Sequence, residues 1–115
     1  MKFTGVKRHY FSDGSLESEV FILNGKREGI YKNYHENGQL FLEVNYINGK
    51  KEGIRKIYSD SGWLQNEINY INGKENGIIK EYYESGQLLM EGFFVNGKIK
   101  GIIKEYDELG CLCDE

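Results

Sequence analysis

A period of 24 residues runs through the whole chain and limits what it can fold into. Gly29, Gly53, Gly77 and Gly101 share one phase, which Gly5 anticipates. Gly14, Gly38, Gly62, Gly86 and Gly110 share a second, and Gly25, Gly49, Gly73 and Gly97 a third. Fourteen of the 15 glycines therefore keep step, and Gly92 does not. A period in this range marks a supersecondary unit that cannot bury its own apolar face and must stack on its neighbours. Residues 5–28, 29–52, 53–76 and 77–100 are four such units, and 101–115 is a partial fifth, all within a single domain spanning 1–115.

Within a unit, apolar and polar residues alternate at period two, as in a half-buried strand. Ile30, Lys32 and Tyr34 read as one strand, and Leu40, Leu42, Val44 and Tyr46 as the next. Glu36-Asn37-Gly38 between them suits a three-residue hairpin, a type I turn followed by a residue at positive φ. Asn48-Gly49-Lys50 and its copies mark a second turn. The expected fold is all-β: one curved antiparallel meander of about ten short strands, roughly 48 Å wide at the usual strand spacing.

Regular alternation sets Tyr34 opposite Leu40 and Ile30 opposite Val44, and two ladders follow on one face. The first runs through Val6, Val20, Ile30, Val44, Ile54, Ile68, Ile78 and Ile102. The second alternates tyrosine and leucine from Tyr10 and Leu16 to Tyr106 and Leu112. Pairs of this kind contribute roughly 0.2–1 kcal/mol each, so their sum would hold the sheet. Lys7 and Arg8 at one edge, and Asp114 and Glu115 at the other, would discourage edge-to-edge pairing.

The pattern in Gly29-Ile30-Tyr31-Lys32-Asn33-Tyr34, then Gly38-Gln39-Leu40, Glu43, Tyr46 and Asn48-Gly49-Lys50, resembles the bacterial variant of the MORN repeat. That resemblance implies β-hairpin units. Bacterial relatives are commonly labelled as the antitoxin partner of a toxin. Eukaryotic MORN proteins are linked to membrane-associated scaffolds and to dimerisation. Departures are Gly92 in place of a ladder residue, Phe94 in place of tyrosine, and a last unit without its Asn-Gly-Lys turn.

Composition narrows the functional classes. A formal charge of -3 is too small and of the wrong sign to draw nucleic acid non-specifically. No run is apolar enough to span a membrane as a helix, and the start shows no apolar signal region, so a cytoplasmic protein is expected. Cys111 and Cys113 are too few and too close for a disulfide framework. His9 and His35 occupy different phases, and no carboxylate pair is singled out from the repeat, so no enzyme and no cofactor or metal site is expected.

Two candidate surfaces remain. Where the units differ, Trp63, Phe41, Tyr31, Phe21 and Phe93 introduce aromatics at variable positions. They form the candidate protein-binding set, with a toxin or a second copy of the chain as the expected partner. Trp63, beside a turn glycine, is expected to be partly exposed. Lys32, Lys56, Lys80 and Lys104, preceded by Arg8, form a basic row on the tyrosine face, suited to anionic lipid as the alternative. Strict alternation puts Glu19, Glu43, Glu67, Glu91 and Glu115 on the opposite face, whereas a bulge in each unit would bring them beside the lysines.

Overall fold

A computed structural model of the protein describes residues 2–113, so Asp114 and Glu115 lie outside the described part. The chain forms one open antiparallel sheet. Its strands are β1 (Gly5–Tyr10), β2 (Leu16–Leu23), β3 (Lys26–Tyr34), β4 (Leu40–Ile47), β5 (Lys50–Lys51), β6 (Gly53–Tyr58), β7 (Leu64–Ile71), β8 (Lys74–Tyr82), β9 (Leu88–Val95) and β10 (Lys98–Glu105). Each strand lies beside its chain neighbour, and the two-residue β5 pairs with β4 just before β6 does. The molecule measures 56 × 34 × 16 Å, a plate one sheet thick.

Both turn types form for the reasons their residues supply. Asn48 and Gly49 have φ of 52° and 85°, the two successive positive values a type I′ hairpin needs. At the other margin the Gly38 amide donates to the His35 carbonyl at 3.0 Å, and Gly38 takes φ of 89°. The margins are also stapled from unit to unit. The Gly49 amide donates to the Arg27 carbonyl and the Gly73 amide to the Lys51 carbonyl, each at 2.9 Å. Opposite them, His35 Nε2 donates to the Tyr58 carbonyl at 2.9 Å and the Tyr83 hydroxyl to the Tyr106 carbonyl at 2.7 Å.

The register departs from regular alternation at one place per hairpin. Tyr34 stands opposite Leu40 as expected, but Asn33 pairs with Leu42, which leaves Phe41 as an extra residue. Gln65 and Leu89 are the extra residues of the next two hairpins. Each bulge turns the rest of its strand over, because one residue of slip exchanges the two faces. Val44 therefore faces Tyr31, and Ile30 faces Asn45. The tyrosine–leucine pairs survive within each hairpin because they lie between the bulge and the turn, but they do not join from one hairpin to the next. The aliphatic ladder splits in two.

Val20, Val44 and Ile68, joined by Ile22, Tyr46 and Tyr70, form the core on what we term the inner face, where Val44 is 1% exposed. Val6, Ile30, Ile54 and Ile78 lie on the other face, the outer one, with Ile54 53% exposed, whereas Ile102 pairs with Gly92 and is set on the inner side by a further irregularity in β10. A second irregularity falls at the glycines of β3, β6 and β8. Gly29, Gly53 and Gly77 hold φ near +90°, and the pairing with the preceding strand shifts across them.

Candidate functional site

The bulges put the acidic row beside the basic one. Across the sheet, Arg8, Glu19, Lys32, Glu43, Lys56, Glu67, Lys80, Glu91 and Lys104 stand directly opposite one another in turn. This corrects the strict-alternation reading, which set the glutamates on the far face. Arg8 Nε and Glu19 Oε2 close to 2.6 Å, and among the described residues no other pair comes within ion-pair distance. Even so, each interior lysine has a carboxylate on either side. The row of Lys32, Lys56, Lys80 and Lys104 is thus a ladder of both signs, not a cationic track.

Tyr82 is tied into this ladder, and it supplies a pH test. Its hydroxyl donates to Glu67 Oε1 at 2.6 Å, and burial, followed by that bond, pushes the phenol up to about 12. An unfolded tyrosine ionises near pH 10. The neutral phenol therefore favours the fold fully below pH 10, and the contribution is lost between pH 10 and about 12, as the unfolded chain releases a proton the folded chain retains. Unfolding midpoints followed across that window should fall more steeply for the native protein than for Tyr82→Phe.

Beside the ladder lies an uncovered apolar surface. Phe21 stands opposite Val6, Asn45 opposite Ile30, Asn69 opposite Ile54 and Phe93 opposite Ile78. Leu23, Ile47, Ile71 and Val95 follow two residues on, and all four are exposed. The phenylalanines fill the row near its ends, and the shorter asparagines leave it low in the middle. Around Asn69 this forms a notch of about 370 Å³ lined by Ile54, Glu67, Asn69, Ile78 and Lys80.

The aromatic set singled out from the sequence does not converge. Phe21 and Phe93 lie on the outer face, on β2 and β9 near opposite ends of the sheet. Tyr31 lies on the inner face, edge-on to Tyr46 with ring centroids 6.2 Å apart. That separates it from Phe21 and Phe93 by the thickness of the sheet. Phe41 is the bulge residue and packs on His35 at 4.8 Å. Trp63 is half-buried at a hairpin margin, its carbonyl accepting from the Ser59 amide at 2.8 Å.

A second cluster escaped the sequence reading because its members stand at three different phases of the repeat. On the inner face, Arg27 lies over the Tyr31 ring at 4.7 Å and the Tyr46 ring at 5.2 Å, and donates to the Tyr46 hydroxyl at 3.0 Å. Lys51 lies over Tyr70 at 4.9 Å. Arg55 approaches the same ring at 5.6 Å and donates to its hydroxyl at 3.1 Å. Burial, and then the neighbouring Arg55, hold the Lys51 ammonium below its ordinary value. Only unit-to-unit comparison could have drawn attention to these cations. Arg27 and Lys51 share a phase with Glu75 and Ile99, and Arg55 with Ile79 and Ile103.

Among the described residues, no group of His, Cys, Asp and Glu is arranged to hold a metal, and Cys111 and Cys113 are free and exposed.

Comparison with known families matches residues 27–48, 51–72 and 75–96 to the MORN repeat variant. No curated protein matches the chain. Among solved structures, a chain of a glycosylation associate protein complex from Streptococcus agalactiae is similar at 20% identity and a TM-score of 0.49. The similarity covers 83% of the present chain and 18% of that one, so this chain spans less than a fifth of that protein's length.

Proposed function

Given that this chain belongs to the MORN repeat variant family, whose repeats are generally non-catalytic binding and scaffold modules, we propose that it is a non-catalytic platform that docks another protein on its outer face. The observation that supports this reading is the bare apolar row of Val6, Ile30, Ile54 and Ile78. None of the described residues covers it, because the sheet is a single layer, and a contiguous exposed apolar patch of this kind marks an interaction surface. A plate of 56 by 34 Å is large enough to supply the roughly 800 Å² per partner of a standard interface. The charge ladder alongside would set a partner's register more than its affinity.

In its narrowest form the partner is a toxin, which this chain silences in the cytoplasm by occluding its surface. That form rests on the labels carried by bacterial relatives. Adsorption to anionic lipid through Lys32, Lys56 and Lys80 is the weaker reading, because each of those lysines stands between two glutamates.

The test is affinity purification from the native cell with the natural chain and with an Ile54→Glu, Ile78→Glu variant. Both side chains are exposed, so the variant should keep its strand circular dichroism. A partner held by the natural chain should be lost from the variant, by at least tenfold in a binding titration. Undiminished binding by the folded variant would reject the outer face as the docking surface.

A further inference from the structure

We propose that Arg27, Lys51 and Arg55 form a second binding site on the inner face, one that takes the carboxylates of an acidic, extended protein segment crossing the strands. This site is separate from the outer docking face and does not depend on it.

The argument begins with charge. The chain as a whole is acidic, at -3, yet three cations gather here and no carboxylate among the described residues closes an ion pair with any of them. The aromatic rings beneath them hold the cations in place without neutralising them. Arg27 has its guanidinium fixed by the Tyr46 hydroxyl, and Arg55 by the Tyr70 hydroxyl. Such fixation lowers the entropy lost when a carboxylate arrives, and the planar fork suits its two oxygens. Arg55 Nε and Asn66 Oδ1 on the same face are buried without a hydrogen-bond partner. Buried polar atoms are ordinarily paired, so these two are open to a ligand's polar groups.

Spacing then selects the ligand's shape. Arg27 stands opposite Ile22 and Lys51 opposite Tyr46, equivalent positions in successive units. Two strand widths separate them, about 9.6 Å. A polyproline II segment rises about 9.3 Å per three-residue turn and presents every third side chain on one side. Acidic residues at the first and fourth positions of such a segment would meet Arg27 and Lys51. One unit further on, Glu75 stands opposite Tyr70, so the seventh position favours a cation. A small free anion would gain nothing from this repeat.

The experiment titrates the full chain with a heptapeptide carrying glutamate at its first and fourth positions and lysine at its seventh, and in parallel with pyrophosphate. Expected are binding weakened at least tenfold by Arg27→Gln or Lys51→Gln, strong salt sensitivity, and no change in a Lys32→Gln, Lys56→Gln, Lys80→Gln variant. Far-ultraviolet circular dichroism and unfolding midpoints establish that the variants fold. The proposal is overturned if the peptide does not bind, if the inner-face variants bind as well as the natural chain, or if the outer-face variant loses as much. Tighter binding of pyrophosphate than of the peptide would also overturn it. Because the probe is synthetic, the result is independent of whether the outer face finds its partner.

Discussion

Gly92→Val should destabilise the protein by about 2 kcal/mol, although it restores the residue type that the repeat carries in the other units. Val20, Val44 and Ile68 occupy this phase and are all buried. Consensus reasoning would therefore expect a gain, and strand propensity adds to that expectation, since glycine weakens a strand interior. Packing decides otherwise. A Cβ on Gly92 would lie 3.0 Å from the Gly101 carbonyl oxygen and 3.3 Å from Ile79 Cγ2. The first of these is backbone, which cannot rotate aside, and overpacking of this kind costs roughly 1–3 kcal/mol. Relief would come from pushing β10 off β9, and β10 is exposed along its whole length. Urea unfolding should show a lower midpoint at an unchanged slope, with accelerated amide exchange confined to β10 in the native state. A midpoint at or above that of the natural chain would show that the last strand yields without cost.

Gly53→Val should cost about 2–3 kcal/mol for a reason that is purely conformational. No atom lies within 4 Å of a Cβ placed there, so crowding plays no part. The backbone at φ of 93° is the obstacle, and a β-branched side chain tolerates it least. This glycine opens β6, just after Glu52 breaks the chain from β5, and so lies at the shift that brings Lys56 opposite Glu43. Gly53→Asn provides the control, since asparagine accepts positive φ more readily and should retain more than half of the lost stability. Equal losses for the two variants in thermal unfolding would rule out the backbone angle as the cause.

Much of the architecture was legible in the chain. The turns declared themselves through Asn48-Gly49 and Glu36-Asn37-Gly38, because positive φ demands residues of few types. The tyrosine–leucine pair of each hairpin was also readable, being only a few residues from a turn that sets its register. A bulge in each unit could be envisaged, but its position could not be read. Its extra residue is Phe41, Gln65 or Leu89 from one hairpin to the next. Any side chain can occupy it, so no residue type announces it, yet it decides the face of everything beyond. The misplacement of Val44 relative to Ile30, and of Glu43 relative to Lys32, follows from that one unmarked residue. The phase of Gly29, Gly53 and Gly77 was plain, but its meaning as a shift in pairing was not. The inner-face cluster required both irregularities at once, because Arg27 and Lys51 precede the glycine of their unit and Arg55 follows it.

The charge ladder also bears on slippage between strands. A slip of two residues would keep every side chain on its own face, so apolar burial alone resists it weakly. It would, however, move Lys32 off Glu43, Lys56 off Glu67 and Lys80 off Glu91 together. The alternating signs thus act as a zip whose teeth mesh in a single alignment.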